Sequence, residues 1–369
     1  MKVSDLLEFF STNSLSWEQL EFEGTGLLNL HYGLIHNGLP NQIDINNSSL
    51  PVVKAGFEPR KFTLCKTGDI AFADASEDTD DVGKVVEFVD CAGKDVVCGL
   101  HTIHGRDKLD KTVPGFKGYA FSSKVFHDQI KRIAQGTKVF SIRASNFDEV
   151  YISIPRMEEQ RKIATLLSLI DLRISVQNKV IEKYESLIKA LRYHIFSTIE
   201  PVKEVSFADV LSYEQPIKYI VSDTEYSDNK GLTPVLTANK AFILGYTKEV
   251  KGVYDKGPCI ILDDFTLDSK IVDFPFKVKS SAIKILSAKT TVCLRYIFEY
   301  LKFLDLNTEE HKRHYIAEIE PMTIELPDED TIQSIACLFD RIDQRRKGLE
   351  RDVQLLKTQK EYLLKALFI

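Results

Sequence analysis

Two short stretches of this 369-residue chain hold residue types that could do chemistry. In CGLHTIHGR, Cys98, His101 and His104 fall three residues apart. A thiol and two imidazoles can hold a soft cation, but zinc sites usually take four ligands and no fourth follows at a usual spacing, so no metal is expected. In DDFTLDSK, Asp263, Asp264, Asp268 and Lys270 lie close together. Carboxylates beside a lysine are what metal-assisted phosphodiester cleavage requires. An Asp-x-Lys triplet is common by chance, however, and a strand ending in a turn accounts equally well for Asp263 and Asp264.

Other catalytic signatures are missing. The chain has no G-x-x-x-x-G-K-[ST] phosphate loop, G-x-G-x-x-G, H-E-x-x-H or G-x-S-x-G. It also has no Pro-Pro, so the Asn/Asp-Pro-Pro-aromatic motif of adenine methyltransferases is absent. The expectation is a chain that catalyses nothing and binds no cofactor itself.

Two stretches suit contact with DNA better. GLHTIHGRDKLDK at 99–111 offers His101, Arg106, Lys108 and Lys111, and ANKAFILGYT at 238–247 offers Asn239, Lys240 and Tyr246. Arg can bind guanine bidentately and Asn can do so with adenine, while Lys mainly positions through phosphate. Lys117, Lys270 and Lys277 join these candidates from the same basic regions. The net charge of −6 argues the other way, but it is unevenly spread. Residues 1–99 hold 7 Lys/Arg against 16 Asp/Glu, residues 100–145 hold 9 against 3, and residues 270–313 hold 9 against 5. Charge alone would equally describe solvated faces. Phe116, Tyr119, Phe121, Phe274 and Phe276 read as core rather than as stacking platforms.

The elements that must position these residues are marked by an internal repeat. Residues 154–196 align without a gap on 326–368 at a constant offset of 172, with identities at Pro155/Pro327, Ile163/Ile335, Ala164/Ala336, Leu166/Leu338, Ile170/Ile342, Asp171/Asp343, Arg173/Arg345, Leu191/Leu363 and Phe196/Phe368. Each copy opens on proline and then carboxylates (Glu158 and Glu159; Asp328, Glu329 and Asp330), the signature of a helix start. In the first copy the 4-3 apolar spacing runs Ile163, Leu167, Ile170, Ile174, Gln177, Ile181, Tyr184, Ile188, Leu191, Ile195. In the second it runs Ile335, Phe339, Ile342, Arg346, Leu349, Val353, Leu356, Lys360, Leu363, Leu367. A period of 3.5 residues predicts two long coiled-coil helices packed on each other, with Arg346 and Lys360 snorkelling from the seam edge.

The repeat continues weakly upstream. VSDLLEFF at 3–10 resembles VSFADVLSY at 205–213, and GDIAFAD at 68–74 resembles GPCIILDD at 257–264. The expected fold is therefore α+β: mixed domains at 1–153 and 200–325, each followed by a spacer helix, at 154–199 and 326–369, related by a pseudo-two-fold axis with the helices antiparallel. The six cysteines show no C-x-x-C pair, and no signal peptide or membrane span is apparent. Free thiols and a cytoplasmic location are expected.

The string IPRMEEQRKIATLLSLID and its second occurrence, LPDEDTIQSIACLFDRID, resemble the repeated regions of type I restriction-modification specificity subunits. NLHYGLIH at 29–36, CGLHTIHGR at 98–106 and TPVLTANKAFILGYT at 233–247 resemble strings of their target-recognition domains. The resemblance implies two readers of a bipartite, asymmetric double-stranded DNA site, with helices that fix the gap. It also implies two methyltransferase subunits using S-adenosylmethionine on a flipped adenine, and restriction subunits using ATP and Mg, all outside this chain. The second helix departs from the family's Pro-x-x-x-Glu-Gln opening, having Thr331-Ile332-Gln333 where the first has Glu159-Gln160-Arg161. The rival reading is an adaptor that binds no DNA and is built on the helical spacer, which the acidic net charge favours slightly.

Overall fold

The computed structural model describes residues 1–238, 241–289, 292–306, 308 and 312–368. The chain divides into two compact units, Met1–Asn178 with Arg351–Ile369, and Lys179–Glu350. The boundaries fall inside the two long helices, Met157–Thr198 and Glu329–Leu367, and not at their ends as the sequence suggests. The cause is packing: Leu167 and Phe368 belong to the core of the first unit, while Phe196, Ile335 and Phe339 belong to that of the second.

In the first unit a five-stranded sheet runs in the order Leu7–Phe10, Thr102–Asp107, Ile70–Ala73, Val85–Asp90, Gln42–Asp44. The central strand, Ile70-Ala-Phe-Ala73, is fully buried, as an apolar run covered on both faces must be. Its side chains alternate: Ile70 and Phe72 face a core shared with Phe116, Tyr119 and Phe126, whereas Ala71 and Ala73 face Leu30, Ile43 and Phe88. A second, four-stranded sheet runs Leu20–Glu21, Val52–Val53, Leu28–Leu30, Val96–Cys98. Helix Lys124–Ile133 begins where the Ser123 hydroxyl accepts the Phe126 amide at 3.3 Å.

The second unit repeats this plan. Its four-stranded sheet runs Leu211–Glu214, Ile283–Ala288, Cys259–Asp263, Ser269–Val272, all neighbours antiparallel, matching the first four strands of the other unit. The same alternation recurs, with Ile260 and Leu262 on one face and Cys259 and Ile261 on the other. The two weak sequence likenesses thus fall on equivalent strands: Leu7–Phe10 with Leu211–Glu214, and Ile70–Ala73 with Cys259–Asp263. Phe116, Tyr119, Phe121 and Phe276 are fully buried core residues, and Phe274 is partly buried.

Burial along both long helices follows the 4-3 spacing. Ile163, Leu167, Ile170, Ile174, Ile181, Ile188 and Leu191 in the first helix are buried or partly so, as are Ile335, Phe339, Ile342, Leu349, Val353, Leu356 and Leu363 in the second. Leu367 is exposed at the helix end, where Phe368 takes the buried place against Phe116, ring centroids 5.7 Å apart. In the first unit the Lys360 ammonium sits 2.7 and 2.8 Å from the Asp171 carboxylate oxygens and 5.3 Å from the Tyr119 ring centroid. Arg346, in the second unit, folds back onto Asp343 and Glu350 of its own helix.

Asp171 and Asp343, identical in the repeat, do equivalent work. Asp171 accepts the Tyr119 hydroxyl at 2.8 Å, and Asp343 faces the Arg295 guanidinium at 3.6 Å. Each therefore ties a long helix to a short helix of its own unit. No helix among the described residues is long and apolar enough to cross a membrane.

Candidate nucleic-acid interface

The basic loop of the first unit is rooted in strand Thr102–Asp107, and its residues sort by what holds them. The Arg106 guanidinium donates from Nε to Asp69 Oδ1 at 2.8 Å and from Nη2 to Asp69 Oδ2 at 2.6 Å and the Leu64 carbonyl at 2.9 Å, while lying 4.9 Å from the Phe10 ring centroid. Its fork is thus largely committed inside the protein. Lys108 is exposed and donates to the Ser4 carbonyl at 2.8 Å; Lys111 is exposed as well. His101 adopts a left-handed backbone (φ 54°), with Nδ1 3.0 Å from Asp74 Oδ1 and its ring edge-on to Tyr32.

Two candidate lysines need correcting. Lys117 is buried, its ammonium donating to the Thr112 hydroxyl at 2.7 Å and lying 3.6 Å from Glu87. Lys277 is buried too, 2.9 Å from Glu249 and donating to the Lys251 carbonyl at 2.8 Å. Both are internal counter-ions whose desolvated heads cannot reach a phosphate. Burial pushes the Glu87 carboxyl above its ordinary range against the pull of Lys117 and the amides of Gly118 and Gly115, which donate to it at 2.6 and 2.9 Å. Gly118 is required there, because a Cβ would stand 2.4 Å from the Asn41 carbonyl oxygen.

In the second unit Lys270 is exposed on strand Ser269–Val272, and Tyr246 is partly buried on strand Ile243–Thr247. Asn239 and Lys240 lie outside the described residues. The cleavage-like aspartates have structural partners. Asp263 Oδ1 accepts the amides of Phe265 and Thr266 at 2.9 and 3.1 Å in a turn. Asp264, 1% exposed, accepts the amides of His314 and Tyr315 and pairs with Lys284 at 3.0 Å.

The sequence trio Cys98, His101 and His104 does not assemble. His101 turns out to Asp74, and Cys65 stands beside Cys98 and His104 instead.

Gln160 was not singled out by its own chemistry, yet it grips the basic loop. It is fully buried; its carbonyl accepts the Val113 amide at 3.0 Å, and its amide donates to the carbonyls of Lys111 at 2.9 Å and Pro155 at 2.8 Å. In the other repeat the equivalent position is Ile332, which packs into the apolar core of the second unit. The departure from Glu-Gln to Thr-Ile thus exchanges a polar clamp for an apolar one. Gln160→Leu is expected to leave the Val113 amide unsatisfied, cost about 1–3 kcal/mol, and raise hydrogen exchange across residues 107–115; unchanged exchange there would contradict the clamp.

The first long helix also shows solvent an apolar stripe, Leu166, Leu169, Leu172 and Val176, between 44% and 60% exposed and away from the seam.

Residues 92–186 match the family described as type I restriction modification DNA specificity domain. The chain is 37% identical over 174 residues to the type I restriction enzyme EcoR124I/EcoR124II specificity subunit of Escherichia coli, covering 44% of this chain and 43% of that protein. It thus spans under half the length of that relative. In fold it is similar to the crystal structure of the type I restriction-modification system S subunit from M. genitalium, at 17% identity and a TM-score of 0.63, over 100% of this chain and 95% of that one. A second similar chain comes from a structure of type I restriction-modification complex assembly and conformational transition, at 12% identity and a TM-score of 0.54, over 99% and 95%. In its specificity-domain match over residues 92–186 and in its fold, the chain is similar to type I restriction-modification specificity subunits.

Proposed function

We propose that the chain is the DNA-recognition subunit of a type I restriction-modification complex, reading a bipartite, asymmetric site in double-stranded DNA and docking methyltransferase and restriction subunits. The observation that carries this reading is the repeat itself: two units with the same strand order bear unlike loops, so the frame is duplicated and the reading surfaces are not. Unlike readers on a repeated frame suit a site with two different halves.

The chain catalyses nothing in this scheme. Two modification subunits would supply S-adenosylmethionine chemistry and the restriction subunits ATP-driven, Mg-dependent cleavage. The stripe Leu166, Leu169, Leu172 and Val176 offers an apolar surface of the kind a partner subunit covers.

Lys108 and Lys111, exposed on the loop that Gln160 holds, are the phosphate-contacting candidates. With the chain assembled with its modification subunits, changing both to Glu is expected to weaken binding to all duplexes alike and to flatten the dependence of log affinity on log salt by about 0.9 per lost contact. DNA binding that ignores salt in the unaltered complex would overturn the reading and favour the adaptor.

A further inference from the structure

Three side chains from separate parts of the first unit converge in its interior. Leu64 bridges Val97 in antiparallel register and the Cys65 amide donates to the Val96 carbonyl at 2.8 Å. That register places Cys65 diagonally across from Cys98 on the same face, their sulfurs 3.5 Å apart. His104, on the strand that follows Cys98, completes a set in which one ligand atom from each residue lies within 4.8 Å of the others. Cys65, Cys98 and His104 are 6%, 2% and 1% exposed.

The geometry points to a site for a thiophilic divalent cation, Zn²⁺ by charge and ligand type, held by Cys65, Cys98 and His104.

Four observations carry the assignment. The first is distance. Two thiolates on one tetrahedral zinc, each about 2.3 Å from the ion, stand about 3.8 Å apart, close to the 3.5 Å found; a disulfide would need them near 2.05 Å. The second is the support behind the histidine. His104 Nε2 lies 2.8 Å from Asp69 Oδ2, which leaves the other ring nitrogen for an ion, and a carboxylate behind the ring is what orients metal-ligating histidines. Asp69 is itself fixed by Arg106 and by the Lys66 amide at 2.8 Å.

The third is charge. Two thiolates cancel a divalent ion and Asp69 cancels Arg106, so the occupied site is neutral, as burial demands. The fourth is ligand softness: sulfur and imidazole favour zinc, whereas magnesium and calcium take oxygen. No fourth protein ligand joins the set among the described residues, so one coordination position is left to an exogenous ligand.

The site would brace the root of the basic loop, joining the 64–69 segment to strands Val96–Cys98 and Thr102–Asp107. Loading must expel protons from both thiols and from His104, so apparent affinity rises with pH.

The test is titration of the reduced, metal-stripped full chain with Cd²⁺, read by its ultraviolet thiolate charge-transfer band, followed by Zn²⁺ competition. Wild type is expected to saturate at one ion per chain, with Zn²⁺ displacing the Cd²⁺ signal. Cys65→Ala and Cys98→Ala should each lose this saturable band, and Cys91→Ala should keep it. If either core variant fails to fold, metal-dependent protection of Cys65 and Cys98 from alkylation in wild type at low denaturant, mapped by peptide mass, decides instead. No saturable band, a band that survives loss of Cys65, or alkylation rates unchanged by metal would each overturn the site. So would a Cys65–Cys98 disulfide forming readily under mild oxidant in a chain that takes up no Cd²⁺.

Discussion

Asp69→Asn is expected to destabilise the first unit by about 3–5 kcal/mol, the cost of leaving buried charges without their partner. Asp69 is 1% exposed and gathers four donors: Arg106 Nε and Nη2, His104 Nε2 and the Lys66 amide, all between 2.6 and 2.8 Å. Burial alone would raise its pKa, but the bonds from Arg106 and His104 win and hold the carboxyl below its ordinary value. Burial would lower the pKa of His104, but its bonds to Asp69 and Cys65 win and lift it to about 9. An asparagine keeps the shape and removes the charge, so Arg106 loses its counter-ion and His104 loses the acceptor for its proton. Since whole domains are stable by only about 5–15 kcal/mol, the loss would be plain in urea unfolding of the chelated protein followed by circular dichroism. A change under about 1 kcal/mol would mean that solvent already screens the pair.

Glu299→Ala is expected to cost the second unit a similar amount, about 3–5 kcal/mol. Glu299 is 1% exposed and lies between two guanidinium groups: Arg192 of the first long helix, donating at 2.9 and 2.7 Å, and Arg295 at 2.9 Å. Removing it leaves two cations facing one another where the long helix meets helix Leu294–Phe303. The contrast is Glu158→Ala, whose pairing with Lys162 at 2.9 Å is an exposed helical contact worth about 0.3–0.5 kcal/mol at most. Equal losses from the two variants, measured by denaturant midpoint, would refute the distinction between buried and exposed pairs.

How much of this was legible in the sequence depends on whether the signal is local. The long helices are legible because every seam residue from Ile163 to Leu363 lies three or four positions from the next, and the same period reappears as burial. The paired sheets are half legible: GDIAFAD and GPCIILDD look alike because both are inner strands covered on two faces, while the two domains are otherwise only faintly alike in sequence. Lys117 and Lys277 misled because a lysine code shows a charge and not its partner; Glu87 and Glu249 lie about thirty residues before them in sequence and beside them in space. Cys65 was invisible for the same reason, being brought to Cys98 by strand register and not by spacing. Gln160 stood within a legible string, but its grip on Val113 and Lys111 needed the fold.

In the proposed role this chain decides which DNA sequence its complex modifies. The most direct measurement is sequencing of host DNA by a method that detects methylated adenine, with the gene present and deleted. Deletion is expected to abolish methylation at one split, asymmetric motif, and complementation to restore it; a pattern unchanged by deletion while the modification subunits methylate, or loss of a single uninterrupted palindrome, would overturn the proposed role.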